Sequence, residues 1–259
     1  MPALTFQDFL LSAPGQLLLE WEKAAYSELT ADVFGSCALQ VGMPQLDTLA
    51  ANRMQAHWLI DPRGDLCDPK FTLNRIVADP AQLPIQSESM DLVTLPHTLD
   101  LAKNPQQVLR EAVRVLEPEG RLILTAFNSL GLWWLRQQTV KFGCRPYLPT
   151  ELVPISLYRL KDWLTLLGLE VDRGVFGIYA PGFRSLKRLH AWSWLNKAGD
   201  RWMPQFSNLF LLSAVKRLPG PRIVSCESIQ KLPAKIPAPG VPAASSTTHS
   251  TLLGKNSDG

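Results

Sequence analysis

The stretch that decides the fold occupies residues 77–127 and reads VADPAQLPIQSESMDLVTLPHTLDLAKNPQQVLREAVRVLEPEGRLILTAF. Residues 91–95 are a short apolar run between polar neighbours, a pattern typical of a strand that is covered on both faces. Asn104 is a good N-cap, and the apolar spacing after it predicts an amphipathic helix that ends before Pro118. A second buried strand is predicted over residues 121–127.

A strand, a helix and a strand joined by short connections favour a right-handed crossover and a parallel sheet. In sheets of this kind, ligands bind beyond the carboxyl ends of the strands. The loops that follow Val77 and Leu95 are therefore the first places to look for a binding site.

The chain before this stretch continues the alternation of helices and strands. Helical spacing over residues 16–33 predicts an outer helix, and residues 37–41 predict a brief apolar strand. Gly42 closes that strand, and a second helical segment is expected over residues 46–54. A glycine turn between a strand and a helix directs the N–H groups of the helix toward an anionic ligand.

Two more short strands are predicted over residues 58–61 and 76–79, and they end in Asp61 and Asp79. The interval from Gly42 to Asp61 is about twenty residues, the separation that nucleotide-binding folds place between the glycine turn and the acid that holds the ribose hydroxyls. An Asp at the end of a strand is also a common turn or cap residue, so the spacing alone leaves both roles open. A crevice with a glycine turn and two carboxylates would suit a ligand that carries hydroxyl groups and an amine.

The composition favours a globular enzyme without a metal site. A chain of 259 residues, 46% of them apolar, is long enough to bury a full core. The net charge of +3 is modest and spread along the chain, which argues against a dedicated nucleic-acid binder. The four cysteines are far apart and form no CxxC or Cys/His cluster, so neither a disulfide framework nor a metal centre is expected.

The compartment is expected to be the cytoplasm. The first residues lack a basic region and carry Asp8 within their apolar part, which is unlike a signal peptide. No apolar run reaches the roughly 18 to 20 residues that a membrane-spanning helix needs.

Residues 78–127 resemble the central block of class I S-adenosylmethionine-dependent methyltransferases of the type 11 branch. The resemblance is carried by the order and spacing of several short pieces rather than by one motif. These pieces are Asp79 with Leu83 and Pro84, SMDLV at 89–93, His97 with Leu99 and Asp100, and REAVRVLEPEGRLIL at 110–124. A weaker similarity extends back to about Leu39.

The resemblance implies a Rossmann-like α/β sheet, S-adenosylmethionine as the cofactor and methyl transfer as the activity. It implies that Gly42 is the first glycine of the turn beside the cofactor and that Asp61 is the ribose-binding acid. It further implies that Asp79 contacts the adenine amine, with Pro80 next to it along the adenine edge.

By the same resemblance, Leu95 and His97 lie on the loop that passes the methyl-bearing sulfur. His97 is thus a candidate general base for an acceptor that must lose a proton. A histidine after a strand can also simply brace the loop, so both roles remain open. Methyl transfer from a sulfonium is an in-line displacement that mainly requires contact between donor and acceptor and exclusion of water, so no strong catalytic motif is required.

The turn after residue 41 departs from the family pattern. The family normally has an acidic residue two positions before the first glycine and two more glycines close behind, whereas this chain has Gln40 and then Met43 and Pro44. Pro44 fixes φ and lacks an N–H donor, and Gln40 removes an anionic partner for the ammonium group of the cofactor. Weakened cofactor binding is therefore one of the two outcomes that the sequence allows.

The last part of the domain is predicted to complete the sheet. Residues 169–179 and 208–218 have the pattern of a final strand pair. In the family such a pair is antiparallel and completes a mostly parallel, doubly wound sheet of seven strands. A single methyltransferase-like domain is therefore expected over residues 1–218, followed by a proline-rich tail over 219–259 that is predicted to be largely disordered from residue 231.

The insertion at residues 183–202 allows two interpretations. If it is helical, apolar residues recur every third position, while Arg184, Lys187 and Arg188 share another side. A basic amphipathic helix with Trp is compatible with peripheral contact with an anionic membrane. A lid that packs on its own domain and solvates its basic face explains the same pattern.

Two functional hypotheses follow. The first is a methyltransferase that acts on a small-molecule or lipid-like acceptor. The second is a non-catalytic binding or regulatory module that kept the fold and lost affinity for the cofactor. A nucleic-acid substrate has little support because no dense basic strip is visible.

Overall fold

A seven-stranded sheet forms the centre of the protein in a computed structural model that describes residues 4–62, 74–143, 145–192 and 203–217. The strand order is β3-β2-β1-β4-β5-β7-β6. The strands are β1 (Cys37–Val41), β2 (Ala56–Ile60), β3 (Asn74–Ile76), β4 (Met90–Pro96), β5 (Leu116–Phe127), β6 (Leu169–Gly177) and β7 (Leu209–Lys216).

The first five strands are parallel, and β7 pairs antiparallel with both β5 and β6. This arrangement confirms the predicted mostly parallel sheet with an antiparallel final pair. The helices are α1 (Phe6–Leu11), α2 (Ala13–Ala31), α3 (Thr98–Leu101), α4 (Pro105–Val115), α5 (Leu132–Gln138), α6 (Leu157–Leu166) and α7 (Leu186–Ala191), with short 3-10 helices at Thr139–Phe142 and Pro204–Phe206.

The unit β4, α4 and β5 matches the sequence expectation closely at its start. The side chain of Asn104 accepts a hydrogen bond from the Gln107 N–H at 3.4 Å and caps α4. The second strand begins at Leu116, directly after the helix and earlier than predicted, because Leu116 already lies opposite Met90 in the sheet. Pairing with β4 thus extends β5 through the proline and glycine that were expected to separate helix from strand.

Two apolar clusters cover the two faces of the sheet. The first packs α1, α2 and α5 on one face, and its fully buried side chains include Phe9, Leu18 and Trp133. The second packs α4 and α6 on the other face, with Leu109 and Leu160 at its centre. Helices on both faces explain why the central strands are apolar throughout rather than alternating.

The helix predicted over residues 46–54 is wrong. Turns replace this helix, and polar side chains of the segment form hydrogen bonds with backbone groups inside and outside it. Asp47 accepts the Leu49 N–H at 3.0 Å, and the Asn52 amide donates to the carbonyls of Thr30 and Val33 at 2.8 and 3.0 Å. The Asp47 hydrogen bond is local and competes directly with helical ones, and the Asn52 hydrogen bonds tie the segment to the end of α2.

Part of the insertion after β6 packs on its own domain. Helix α7 buries Leu189 in the cluster that contains α2, while Lys187 and Arg188 are exposed. Within the described residues, no helix combines the length and apolar character that crossing a bilayer would require. Residues 193–202 of the insertion and the tail at 219–259 lie outside the described residues, so the predictions for them and the predicted domain boundary at 218 stay predictions.

Candidate functional site

A cavity of about 650 Å³ lies at the carboxyl ends of β1, β2 and β4. Its wall comes from the loops that follow these strands and β3, from the start of α4 and from the N-terminal helix α1. The lining residues are Phe6, Gln7, Gly42, Met43, Pro44, Gln45, Asp61, Pro62, Asp79, Pro80, Ala81, Pro96, Thr98, Leu101, Ala102, Lys103, Asn104 and Val108. This is the edge at which ligands bind in open α/β sheets.

Gly42 occupies the turn that joins β1 to the cavity. Its φ is +82°, and a Cβ at this position would lie 2.9 Å from Thr98 Oγ1. Its N–H donates to the Ile60 carbonyl at 2.8 Å, which ties the turn to the end of β2. Both the left-handed conformation and the close approach favour glycine here. Met43 follows with φ +47°, an uncommon value for a residue with a side chain.

Gln40 holds this turn from beneath. Its side chain is fully buried, and Nε2 lies 3.1, 3.0 and 2.7 Å from the carbonyl oxygens of Gly42, Met43 and Leu46. Its Oε1 accepts from the backbone N–H of Thr48 at 3.0 Å and from the Thr48 hydroxyl at 2.8 Å. One amide therefore fixes five atoms of a loop that has no helix.

The identity of residue 40 now has a structural reason. A carboxylate at the same place has no hydrogen to donate and would face three carbonyl oxygens. The sequence identified Gln40 only as a missing acid, whereas the structure shows an amide that organises the loop. Gln40 thus binds Leu46 and Thr48 at the start of the segment in which turns replace the predicted helix.

Asp61 lies directly after β2, has only 1% of its surface exposed and lines the cavity. Its carboxylate forms an ion pair with Arg75 of β3. The Asp61 N–H donates to the Ile76 carbonyl at 3.0 Å, so β3 holds this residue through both its side chain and its backbone. A carboxylate with two oxygens can accept from Arg75 and still accept from a ligand hydroxyl.

Asp79 and Pro80 also line the cavity, but they lie beyond β3, which ends at Ile76. The strand predicted over 76–79 therefore lies too late in the chain, because β3 spans Asn74–Ile76 and overlaps the prediction only at Ile76. Asp79 is exposed, and its Oδ1 accepts the Ala81 N–H at 2.8 Å in a turn closed by its own side chain. The structure thus brings Gly42, Asp61, Asp79 and Pro80 to one cavity.

Leu95 and His97 do not line the cavity, although Pro96 and Thr98 do. Leu95 points into the apolar cluster beneath α4 and is fully buried. His97 is also fully buried, on the face covered by α1 and α2, and has φ +50°. The alternation of side chains around this loop places its even-numbered positions against the cavity.

His97 lies between two buried carboxylates. Its Nδ1 is 2.9 Å from Asp100 Oδ2, and its Nε2 is 3.1 Å from Glu22 Oε1 of α2. Asp100 Oδ2 also accepts the Phe127 N–H at 2.8 Å. The imidazole is enclosed by the rings of Phe6 and Phe127, at centroid distances of 5.7 and 4.5 Å.

Burial lowers the pKa of His97, but Glu22 and Asp100 outweigh it and raise the pKa to about 9. Burial raises the pKa of Asp100 and is only partly opposed by His97. An imidazolium that is held between two acids and closed off from the cavity cannot accept a proton from an acceptor at neutral pH. The general-base role predicted for His97 is therefore not supported, and bracing of the loop, the alternative reading, agrees with the contacts.

Two parts of this region were missed from the sequence. Glu22 lies one helical turn after Leu18 on the buried stripe of α2, and an acid at such a position is itself a signal of a buried partner. Helix α1 supplies Phe6 and Gln7 to the cavity wall, and the Phe6 N–H is held by Glu151 Oε1 at 3.0 Å. No local pattern indicates that residues so far from the strands would close the site.

Comparison with known sequences agrees with this architecture. Residues 48–124 match the profile of a family described as "Methyltransferase domain". A curated relative, the uncharacterized protein YafS of Escherichia coli K12, is 33% identical over 147 residues, which are 55% of this chain. The chain thus spans about 55% of the length of this relative.

Solved structures show the same fold. A protein from Listeria monocytogenes described as a "putative S-adenosylmethionine dependent methyltransferase" has a TM-score of 0.55 at 12% identity and covers 78% of this chain and 100% of its own. The [4+2]-cyclase SpnF has a TM-score of 0.52 at 18% identity and covers 79% of this chain and 82% of its own. At such identities the likeness concerns the fold alone.

Proposed function

We propose that this chain, which carries a class I S-adenosylmethionine-dependent methyltransferase domain, transfers a methyl group to a small or lipid-like acceptor. The family match and the fold imply S-adenosylmethionine as the cofactor. The observation that supports the activity most strongly is the cavity at the carboxyl ends of β1, β2 and β4, where one glycine turn and two carboxylates meet.

The residues on the β2 and β3 side fit the nucleoside part of the cofactor. Asp61 would accept the ribose hydroxyls while Arg75 keeps its carboxylate oriented. Asp79 has one oxygen engaged by Ala81, and within the described residues its other oxygen accepts no hydrogen bond, so it would accept from the adenine amine. Pro80 would lie along the adenine edge.

The turn at Gly42 would let the backbone approach the methionine part of the cofactor. Gln40 does not supply the anion that the family places near the cofactor ammonium, because its amide is occupied by the loop. Because this anion is missing, we expect weaker cofactor binding than in relatives with an acid at this position. When bound, S-adenosylmethionine supplies an electrophilic methyl group on a sulfonium.

The apolar lining of the cavity supports a small or lipid-like acceptor. Phe6, Met43, Leu101 and Val108 contribute apolar surface, and among the described lining residues Lys103 alone is cationic. Apolar walls exclude water from the reacting atoms and hold an acceptor by its hydrocarbon part. Because His97 is sealed from the cavity, the acceptor must carry a free electron pair or lose its proton to another group.

The test is equilibrium binding of S-adenosylmethionine by calorimetry to the full chain, followed by transfer of a labelled methyl group to fractionated extract. We expect saturable binding and label in the lipid or small-molecule fraction. Absence of binding at millimolar cofactor would overturn the proposal. Label confined to RNA or DNA would keep methyl transfer and overturn the acceptor class.

A second candidate is a non-catalytic binding module that retained the cavity. It is favoured by the fixed Gln40 loop with Pro44 and by the ion pair that occupies Asp61. The fold is also compatible with other chemistry, since the cyclase SpnF shares it. Absence of S-adenosylmethionine binding at millimolar concentration, in a chain that still unfolds cooperatively, would favour this candidate.

A further inference from the structure

We propose that the surface formed by α5, residues 145–148 and α7 docks on an anionic lipid membrane. This surface is called the α5–α7 face below. The proposal concerns attachment and not methyl transfer, so vesicle binding and cofactor binding can fail independently. The sequence expectation of membrane contact concerned residues 183–202, and the surface proposed here combines the described part of that insertion, up to residue 192, with α5.

Contacts between described residues join the parts of this face. The Arg136 guanidinium lies 4.7 Å from the centroid of the Tyr147 ring, and the Tyr147 hydroxyl donates to the Phe183 carbonyl at 2.9 Å. Arg184 donates to the Pro146 carbonyl at 2.9 Å. α5, the 145–148 segment and the start of the insertion therefore form one continuous surface.

Large apolar side chains on this face are directed to solvent. Leu135 is 66% exposed and Leu132, one turn earlier on α5, is 37% exposed. Trp192 at the end of α7 is 38% exposed and contacts the Phe183 ring at 5.9 Å between centroids. Exposed leucine and tryptophan side chains on one basic surface are a combination that inserts into the interface between headgroups and acyl chains.

The same face is positively charged. Residues 128–150 and 174–192 contain six Lys or Arg and no Asp or Glu. Arg136, Arg145, Arg184, Lys187 and Arg188 are exposed, and in the described part of the chain none of them makes an ion pair. By contrast, Arg114, Arg121 and Arg217 are all paired with acids.

These observations favour a membrane over a nucleic acid. Both partners are anionic, and both would be attracted by unpaired cations. Only the membrane offers an apolar phase to Leu132 and Leu135, whereas aliphatic side chains gain little against phosphates or base edges. A lipid-like acceptor would also be presented at such a surface.

The experiment is co-sedimentation of the full chain with vesicles of phosphatidylcholine alone or with 30% phosphatidylglycerol, at about 0.1 M salt. We expect binding to the anionic vesicles only. The variant Arg145→Glu/Lys187→Glu/Arg188→Glu should lose at least tenfold in partition coefficient. Leu135→Ser should lose threefold or more.

Matched controls separate local docking from general attraction. Arg53→Glu/Arg110→Glu/Arg173→Glu changes the net charge by the same six units but lies on other exposed surface, and Leu166→Ser removes an exposed leucine from α6. Both controls should keep at least half of the binding of the unmodified chain. Circular dichroism melts establish that every variant is folded.

Three results would overturn the proposal. The unmodified chain could fail to sediment with anionic vesicles, or the control variant could lose as much binding as the face variant. In the third result, the unmodified chain binds single-stranded RNA but no vesicles, and the face variant loses the RNA binding. This result would assign the α5–α7 face to nucleic acid instead.

Discussion

The two edges of the cavity are built on different principles. At the edge after β1, the buried amide of Gln40 fixes the loop through five hydrogen-bonding contacts, and residues 42–45 of this loop bring no charged side chain to the cavity. At the edge after β2 and β3, Asp61 and Asp79 bring carboxylates to the cavity. One edge is organised by interactions within the protein, and the other keeps groups that can interact with a ligand.

Because of this difference, we expect substitutions at the two edges to change different quantities, the stability of the fold and the affinity for the cofactor. Substitutions beneath the first edge should act mainly on the free energy of unfolding, because the contacts are internal and buried. Substitutions at the second edge should act mainly on cofactor affinity, because the acids face the cavity. Substitutions of His97, which lies between the buried acids Glu22 and Asp100, should also act mainly on stability. The sequence had instead placed His97 at the cofactor site.

The largest effect is expected for Gln40→Glu. The change places a buried carboxylate against the carbonyls of Gly42, Met43 and Leu46 and removes their donor, which should lower the free energy of unfolding by about 4 kcal/mol. Urea denaturation followed by fluorescence measures it. Gln106→Glu, at an exposed position of α4, is the control and should change stability by less than about 0.5 kcal/mol. A loss below about 1 kcal/mol for Gln40→Glu would mean that the loop does not depend on the amide.

The next effect concerns pH and His97. The pKa of this residue is raised in the folded state to about 9, from about 6.5 in an unfolded chain. Its contribution to stability is therefore complete below pH 6.5 and is lost as the pH rises toward 9, a change of about 3 kcal/mol. Denaturation at several pH values should show this decline, and His97→Gln should flatten it. A variant with the same slope as the unmodified chain would assign the decline to other groups.

A smaller effect, and on a different quantity, is expected for Asp61→Asn. The amide keeps the shape but loses the charge that binds Arg75 and the ribose hydroxyls, so cofactor affinity should fall roughly tenfold to a hundredfold. Calorimetry measures the affinity, and Asp32→Asn, at a helix end away from the cavity, should leave it unchanged. If the affinity of Asp61→Asn stays within twofold, the ribose lies elsewhere.

The smallest effect is expected for Asp79→Ala. One hydrogen bond to the adenine amine would be lost, which should weaken cofactor binding by roughly threefold to tenfold. The melting temperature without cofactor should change little, because the acid is exposed and supports only the turn at Ala81. A large loss of stability with unchanged affinity would make Asp79 a turn residue and move the adenine away from this edge.

The sequence predicted the sheet well because buried strands carry a local signal. The strand at Cys37–Val41 and the cap at Asn104 match the structure, and each depends on a few neighbouring residues. The segment 46–54 was predicted wrongly because side chains such as Asn52, which binds the distant end of α2, outweigh helical spacing. The site residues Gly42, Asp61, Asp79 and Pro80 meet in one cavity as expected, and their roles stay predictions.

The sequence by itself determined the order of the strands along the chain, the glycine turn and the acids near the ends of the strands, because periodicity and turn chemistry act over short distances. Only the tertiary structure decided what Gln40 and His97 do. Gln40 forms hydrogen bonds with the loop that folds back over it, and His97 forms an ion pair with Glu22, on a helix 75 positions earlier in the chain. Whether a polar side chain supports the interior or faces a ligand depends on which long-range partners surround it, and no local pattern encodes those partners.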